Sequence, residues 1–426
     1  MNWKKEIKLS DLVPKRGKKE PDAEQSAPAE EKQAKPKRER AKRNLSFARK
    51  PKGPKQPKQV KEPRGPRAAT AKRIGRQKKL VGLKIGASQL AAARVVNNGL
   101  PELVQVARES LEPGIVVGGE LREPDALAEA LKRFFRAHKL PRQGIRLGIA
   151  SNRIGVRTFD IGGIGDQKQL DNAIRFRAQE TLPIPLDEAV LDYHVLGESV
   201  DDEGTPVSRV LLVVAYRDLV DRYVAACKKA GLKLAGVDLE AFALLRALGD
   251  RPADGANAAI VVVTVGHDRS TLAVSNGEVC EFTRVIEWGG MNLNVAIARA
   301  MDAAPSEAEP VKRSMSLLEP AETMEGLGPE KAAAVRTAVH QELQTFAREL
   351  VSSLQFYQGQ PGSLGIGEIV VTGGTASLPG IDAELARLIG VNVRVGDPLA
   401  RVKLGKKVGD EGRLGSYAVA IGLGIE

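Results

Sequence analysis

Three short glycine-bearing segments hold the chemistry that this sequence could do. Gly86-Ala-Ser-Gln89 follows the apolar run Val81–Ile85, Gly266-His-Asp-Arg-Ser270 follows Val261–Val265, and Gly373-Gly-Thr375 follows Ile369–Thr372. A glycine loop between strands, or between a buried strand and a helix, turns successive backbone amides outward, and that concavity can cradle a phosphate. One such loop is equally well an ordinary hairpin turn. Three at strand ends point to a nucleotide cleft, with contacts expected from Gly86, Ala87, Ser88 and Gln89, from Gly266, His267, Asp268, Arg269 and Ser270, and from Gly373, Gly374 and Thr375. No other constellation competes. His138, His194, His267 and His340 lack ligand spacing, and Cys227 and Cys280 form neither a CxxC pair nor a cluster. No catalytic residue, metal centre, disulfide or nucleophilic triad is therefore expected.

The elements that must position these loops repeat. Val81–Val96 and Val261–Ser275 start 180 residues apart, and each reads as strand, glycine loop and returning strand, followed by Asn98-Gly99 or Asn276-Gly277. Asn-Gly after an apolar run predicts a type I′ turn. The repeat suggests two related half-domains facing each other across the ligand. Leu127, Leu131, Phe134 and Phe135 at helical spacing predict a helix over 123–137, with Pro124 in its first turn. Further helices are expected over 167–182, 218–230, 240–248, 292–301, 306–312 and 329–357. Strands are expected near 102–109, 144–150, 154–161, 189–196, 208–215 and 368–372. The alternation is that of an α/β protein.

The net charge of +12 averages two unlike parts. Residues 1–79 carry 27 Lys or Arg against 9 Asp or Glu, a balance of +18, which leaves a body with 38 basic and 44 acidic residues. Eight prolines from Pro21 to Pro66 stand among lysines, arginines and glutamates, with Phe47 the one aromatic between 15 and 79. Such a segment cannot bury enough apolar surface to offset its ordering entropy, so a disordered, extended basic tail is expected. Its readings are an arm on an anionic membrane surface, a nucleic-acid arm, or a plain solvated linker. Nucleic acid is disfavoured because stacking platforms are missing. The first residues differ from the tail: Trp3, Ile7, Leu9, Leu12 and Val13 among charges read as a short docking motif or a frayed start. No run approaches the roughly 18 apolar residues of a membrane span. Lys4, Lys5, Glu6 and Lys8 stand where a signal peptide needs its apolar core. A cytoplasmic protein, peripheral at the inner face of the membrane, is expected.

From residue 80 to 426 the chain resembles the actin-like ATPase superfamily, and within it the type IV pilus assembly protein PilM family, related to the cell-division protein FtsA. The two hairpins resemble its phosphate-one and phosphate-two motifs, and Ile369-Val-Val-Thr-Gly-Gly-Thr-Ala-Ser-Leu-Pro-Gly380 its adenosine motif. More specific are Ile174-Arg-Phe-Arg-Ala-Gln-Glu-Thr-Leu-Pro-Ile-Pro-Leu186, Asp192-Tyr-His-Val-Leu196, Val237-Asp-Leu-Glu-Ala-Phe-Ala-Leu-Leu-Arg246 and the stretch from Glu349 to Tyr357. The resemblance implies an actin-like two-lobed ATPase fold with a small extra α+β subdomain. It divides the chain into a tail (1–79), a first lobe (80–164), an inserted subdomain (165–236) and a second lobe (237–426) that returns to the first at its C-terminus. It also implies ATP between the lobes and a peptide from a PilN-like inner-membrane protein between the first lobe and the subdomain. A membrane-tethered, filament-forming FtsA-like protein is the alternative, and self-association stays open.

The departures from the resembled pattern bear on turnover. That pattern has an acidic residue two positions before each of the first two loop glycines, where this chain has Lys84 and Thr264. Those carboxylates organise magnesium, which neutralises the transferring phosphoryl group. Magnesium and active hydrolysis are accordingly not expected, although Asp268 could supply one acidic group. Lys84 either marks a decayed site, paired with Asp268 or Glu287, or is a fixed cation for phosphates. Glu309 and Lys312 fall where relatives place a Glu and a Lys around the adenosine, with Pro310 between them.

Overall fold

The structure is a computed structural model that describes residues 79–163, 166–181, 185–200, 204–249, 258–318, 324, 326–406, 408 and 414–426. The basic tail and its N-terminal motif lie outside the described residues. The first strand opens at Lys79.

A six-stranded sheet contains β1 (Lys79–Ile85), β2 (Gln89–Val96), β3 (Glu102–Ser110), β6 (Gln143–Ile149), β10 (Lys233–Leu239) and β16 (Lys403–Leu404), in the order β10-β6-β1-β2-β3-β16. A five-stranded sheet contains β11 (Ala258–Val265), β12 (Ser270–Ser275), β13 (Cys280–Ile286), β14 (Gly365–Thr372) and β15 (Val393–Val395), in the order β13-β12-β11-β14-β15. The two share one plan. β1 and β11 each pair antiparallel with the following strand, which pairs antiparallel with a third. On its other edge each runs parallel to a later strand, β6 or β14, which is itself parallel to an outer one. The repeat read in the hairpins thus extends to whole sheets.

Each sheet buries aliphatic faces under amphipathic helices. Helix α1 (Pro124–Ala137) starts at a proline, which costs it nothing at a position whose N–H has no helical partner, and buries Leu127, Leu131, Phe134 and Phe135 on the first sheet. Each such side chain stabilises the fold by about 1.5–3 kcal/mol relative to exposure. The 30-residue helix Pro329–Gln358 does the same for the second sheet with Val335, Val339, Leu343, Phe346, Leu350 and Leu354, and Phe346 stacks on Trp288 at 4.2 Å. Two short apolar helices, Glu240–Leu248 and Ala418–Gly424, lie between the sheets and are buried almost throughout. They cross backbone to backbone: a Cβ on Gly422 would come within 1.8 Å of the Ala243 carbonyl oxygen.

A third sheet of three antiparallel strands, Ile154–Gly162, Ala189–Val200 and Pro206–Tyr216, carries helix Gln167–Thr181 through Leu170, Ile174 and Ala178. Its strands span 154–216, whereas 165–236 was expected for the inserted subdomain. Helix Arg217–Lys229 packs on α1, and β10 pairs with β6, so residues 217–239 build on the first sheet.

The Asn-Gly turns are not type I′. Gly99 (φ +90°) and Gly277 (φ +86°) are left-handed, but the asparagines before them are not, and type I′ needs both. The connections are longer than two residues, so Asn276 instead accepts the amides of Glu278 and Val279 at 2.9 Å. A two-residue turn with both residues left-handed occurs elsewhere, at Gly118 (φ +58°) and Gly119 (φ +81°), between β4 (Val116–Val117) and β5 (Glu120–Leu121).

Candidate functional site

The first two glycine loops leave equivalent strands and close alike. Gly86 N donates to Gln89 O at 2.9 Å, and Gly266 N donates to Arg269 O at 3.0 Å. Gly86–Gln89, Gly266–Arg269 and Gly373–Gly374 wall a single open cleft, about 530 Å³ with the solvent at its mouth included, joined by Lys84, Glu240, Thr264, Thr271 and Ser416. The third loop is held from behind, where Gly373 N and Thr372 Oγ1 both donate to the Gly415 carbonyl at 3.2 Å.

Four of the expected contacts stand back from this wall. Ser270 is fully buried and its hydroxyl donates to the Trp288 carbonyl at 2.7 Å. Thr375 Oγ1 donates to Gly266 O at 3.3 Å, tying the third loop to the second. Glu309 and Lys312 pair at 2.7 Å on helix Pro305–Ser314, which continues through Pro310, and Lys312 Nζ also donates to Gly290 O at 3.1 Å. Burial by itself would raise the Glu309 pKa, but hydrogen bonds from Lys312, Asn294 and Arg313 hold it down at about 2. Burial, with the Lys312 charge, lowers the pKa of His267, so its imidazole is neutral at pH 7.

Lys84 pairs with neither acid expected of it. Its ammonium lies 3.2 Å from Glu240 Oε2, the two side chains being 16% and 6% exposed. Asp268 accepts the Gly118 amide at 3.0 Å, and Glu287 accepts Asn152 Nδ2 at 3.0 Å. Sequence reasoning missed Glu240 as a cavity residue. A usable signal was there: an acid in the first turn of a helix, straight after a buried strand, sits at the positive end of the helix dipole.

The second loop is also braced from across the cleft. A Cβ on Gly119 would fall 1.7 Å from Arg269 Nη1, so the guanidinium rests on that turn, and Nη1 is buried without a hydrogen-bond partner. Tyr223, almost fully buried, donates to Gly119 O at 3.1 Å from the other side.

A second cavity, about 510 Å³ and mainly apolar, lies between the three-stranded sheet and the first lobe. It is lined by Ile149, Val190, Val213, Ala215, Val220, Val237, Leu239 and Phe242, with Asp192 and Asp238 at its polar points. Asp238 is ion-paired with Arg246. Among the described residues no helix is long and apolar enough to cross a membrane, and no group of three or more His, Cys, Asp or Glu side chains could hold a metal ion.

Comparison with known proteins agrees with this architecture. The chain matches the structure of a PilM–PilN type IV pilus biogenesis complex with a TM-score of 0.67 and 25% identity, over 82% of this chain and 98% of that one. Cell division protein FtsA of Escherichia coli K12 is 25% identical over 363 residues, which cover 76% of this chain and 85% of that protein. FtsA of Bacillus subtilis strain 168 is 24% identical over 225 residues, half of this chain and 48% of that protein. The two similar sheets with facing glycine loops are those of an actin-like, two-lobed ATPase fold. A family model for the type IV pilus assembly protein PilM matches residues 82–426, and the chain belongs to that family.

Proposed function

We propose that this protein is a cytoplasmic scaffold of type IV pilus assembly, peripheral at the inner membrane, that holds the N-terminal segment of a PilN-like inner-membrane protein. The observation that carries the reading is the likeness, over almost the whole of the matched chain, to a protein whose structure is a PilM–PilN complex. The apolar cavity at Val190, Val213 and Phe242 suits an extended peptide with aliphatic anchors. A synthetic peptide of the partner's N-terminal segment, titrated calorimetrically, tests it. Val213→Asp places a charge in the apolar wall and should weaken binding at least about tenfold. Equal affinity in variant and wild type rejects this groove as the site.

The glycine-loop cleft is the proposed nucleotide site. It fits phosphates: loop amides line it and Lys84 brings positive charge between the loops. It does not fit an organised magnesium ion, because the positions two before the loop glycines are Lys84 and Thr264, and Asp268 is tied to the Gly118 amide. A bound nucleotide would supply a charged ligand that both lobes touch, with little or no hydrolysis. The basic tail, +18 over residues 1–79, is the proposed membrane-surface arm. Its binding to anionic liposomes should fall steeply with salt and vanish on deletion of residues 1–79. Unchanged binding by the truncated body excludes that role. The FtsA-like alternative predicts filaments visible by electron microscopy with nucleotide; a monodisperse protein under the same conditions counts against it.

A further inference from the structure

The cation of the cleft is built into its wall, and its surroundings say what it is for. Lys84 projects from β1 at the mouth of the first loop, and an ammonium has three donors. The Glu240 carboxylate at 3.2 Å orients the side chain and leaves donors for another acceptor. Arg269 of the second loop lays its guanidinium on the Gly119 turn, where Nη1 is buried. Among the described residues, the amides of Ala87, Ser88, His267 and Asp268 donate to no protein group, so each loop offers two more donors. The carboxylates, by contrast, are occupied: Glu240 by Lys84 and Asp268 by the Gly118 amide.

Building on the reading of this cleft as a nucleotide site, we propose that it holds a nucleotide's phosphates directly on Lys84 and the loop amides, without a divalent cation. Lys84 stands in for the metal as the positive charge between the loops. Unlike a metal it brings no activated water and no second coordination position, so the site holds its ligand rather than cleaving it.

The test is calorimetric titration of ADP and ATP into the full-length chain, in excess magnesium and again in EDTA. Affinity should differ less than about twofold between the two, and Lys84→Met should weaken it about tenfold or more, the weight of a charge-assisted hydrogen bond. Because Lys84→Met strands the Glu240 carboxylate, the double variant Lys84→Met/Glu240→Gln is titrated beside it and should show the same loss. Binding that requires magnesium overturns the proposal and leaves the cleft a nucleotide site. Binding in neither buffer overturns both. Metal-independent binding that survives in the double variant removes Lys84 from the site and overturns the proposal as stated.

Discussion

The loops at Gly86 and Gly266 leave equivalent strands and share a closing hydrogen bond, yet they are held in different ways. Loop one rests on an ion pair, Lys84 with Glu240, at the start of the helix that lies between the two sheets. Loop two has the neutral Thr264 at the corresponding place and is held from the opposite lobe, by Gly118 on Asp268 and by Gly119 under Arg269. A common backbone plan therefore fixes where a ligand's phosphates could lie. Side chains that differ between the halves decide how each loop is held.

Removing the charge under loop one should have the largest effect. Lys84→Met leaves the buried Glu240 carboxylate unpaired and should cost about 3–5 kcal/mol in a denaturant melt. Thr264→Val, at the matching place in loop two, should stay within about 1 kcal/mol. Equal losses would mean that the two positions are not distinguished by charge.

The brace of loop two comes next. Gly119→Ala forces a side chain into the left-handed region and against Arg269 Nη1 and the Ala150 carbonyl, for about 2–4 kcal/mol. Gly86→Ala meets only the Gln89 carbonyl at 3.2 Å and should cost about 1 kcal/mol. Similar melting temperatures for the two variants would remove the asymmetry.

Much of this arrangement was legible in the sequence, and the parts that were not have physical reasons. Both hairpins, the loop at Gly373 and α1 announced themselves through apolar runs broken by glycine and through the spacing of Leu127, Leu131, Phe134 and Phe135. Helix Ala418–Gly424 did not. It is apolar on every side because it lies between two sheets, so it has no polar face to set a period. Strand Ile154–Gly162 was read as a strand, but its partner, Pro206–Tyr216, is set by long-range pairing that local pattern does not encode. The Lys84–Glu240 pair joins residues 156 positions apart, and both Asp268 and Glu287 were nearer candidates in the loop grammar.

Smaller effects refine the contrast. Asp268→Ala removes one exposed hydrogen bond, about 0.5–1.5 kcal/mol, and should speed hydrogen exchange over residues 116–121. Ser88→Ala should leave that segment unchanged; if it matches Asp268→Ala, the brace is not specific to loop two. Smallest is the acid dependence of the Glu309 corner beside loop two. Its folded pKa of about 2 lies below the unfolded value of about 4.3, so its stabilisation is complete above that value and fades as pH falls toward 2. The stability gap between wild type and Glu309→Gln should shrink across that window. A gap that holds constant would place the stabilisation outside the carboxylate.

The proposed nucleotide site is one that does not cleave its ligand, and phosphate release measures that directly. With ATP and excess magnesium, the full-length protein should release phosphate at the background rate of buffer, and EDTA should change nothing. Turnover well above background that EDTA abolishes would contradict the account, because it would mean that an organised metal sits where Lys84 and Thr264 now stand.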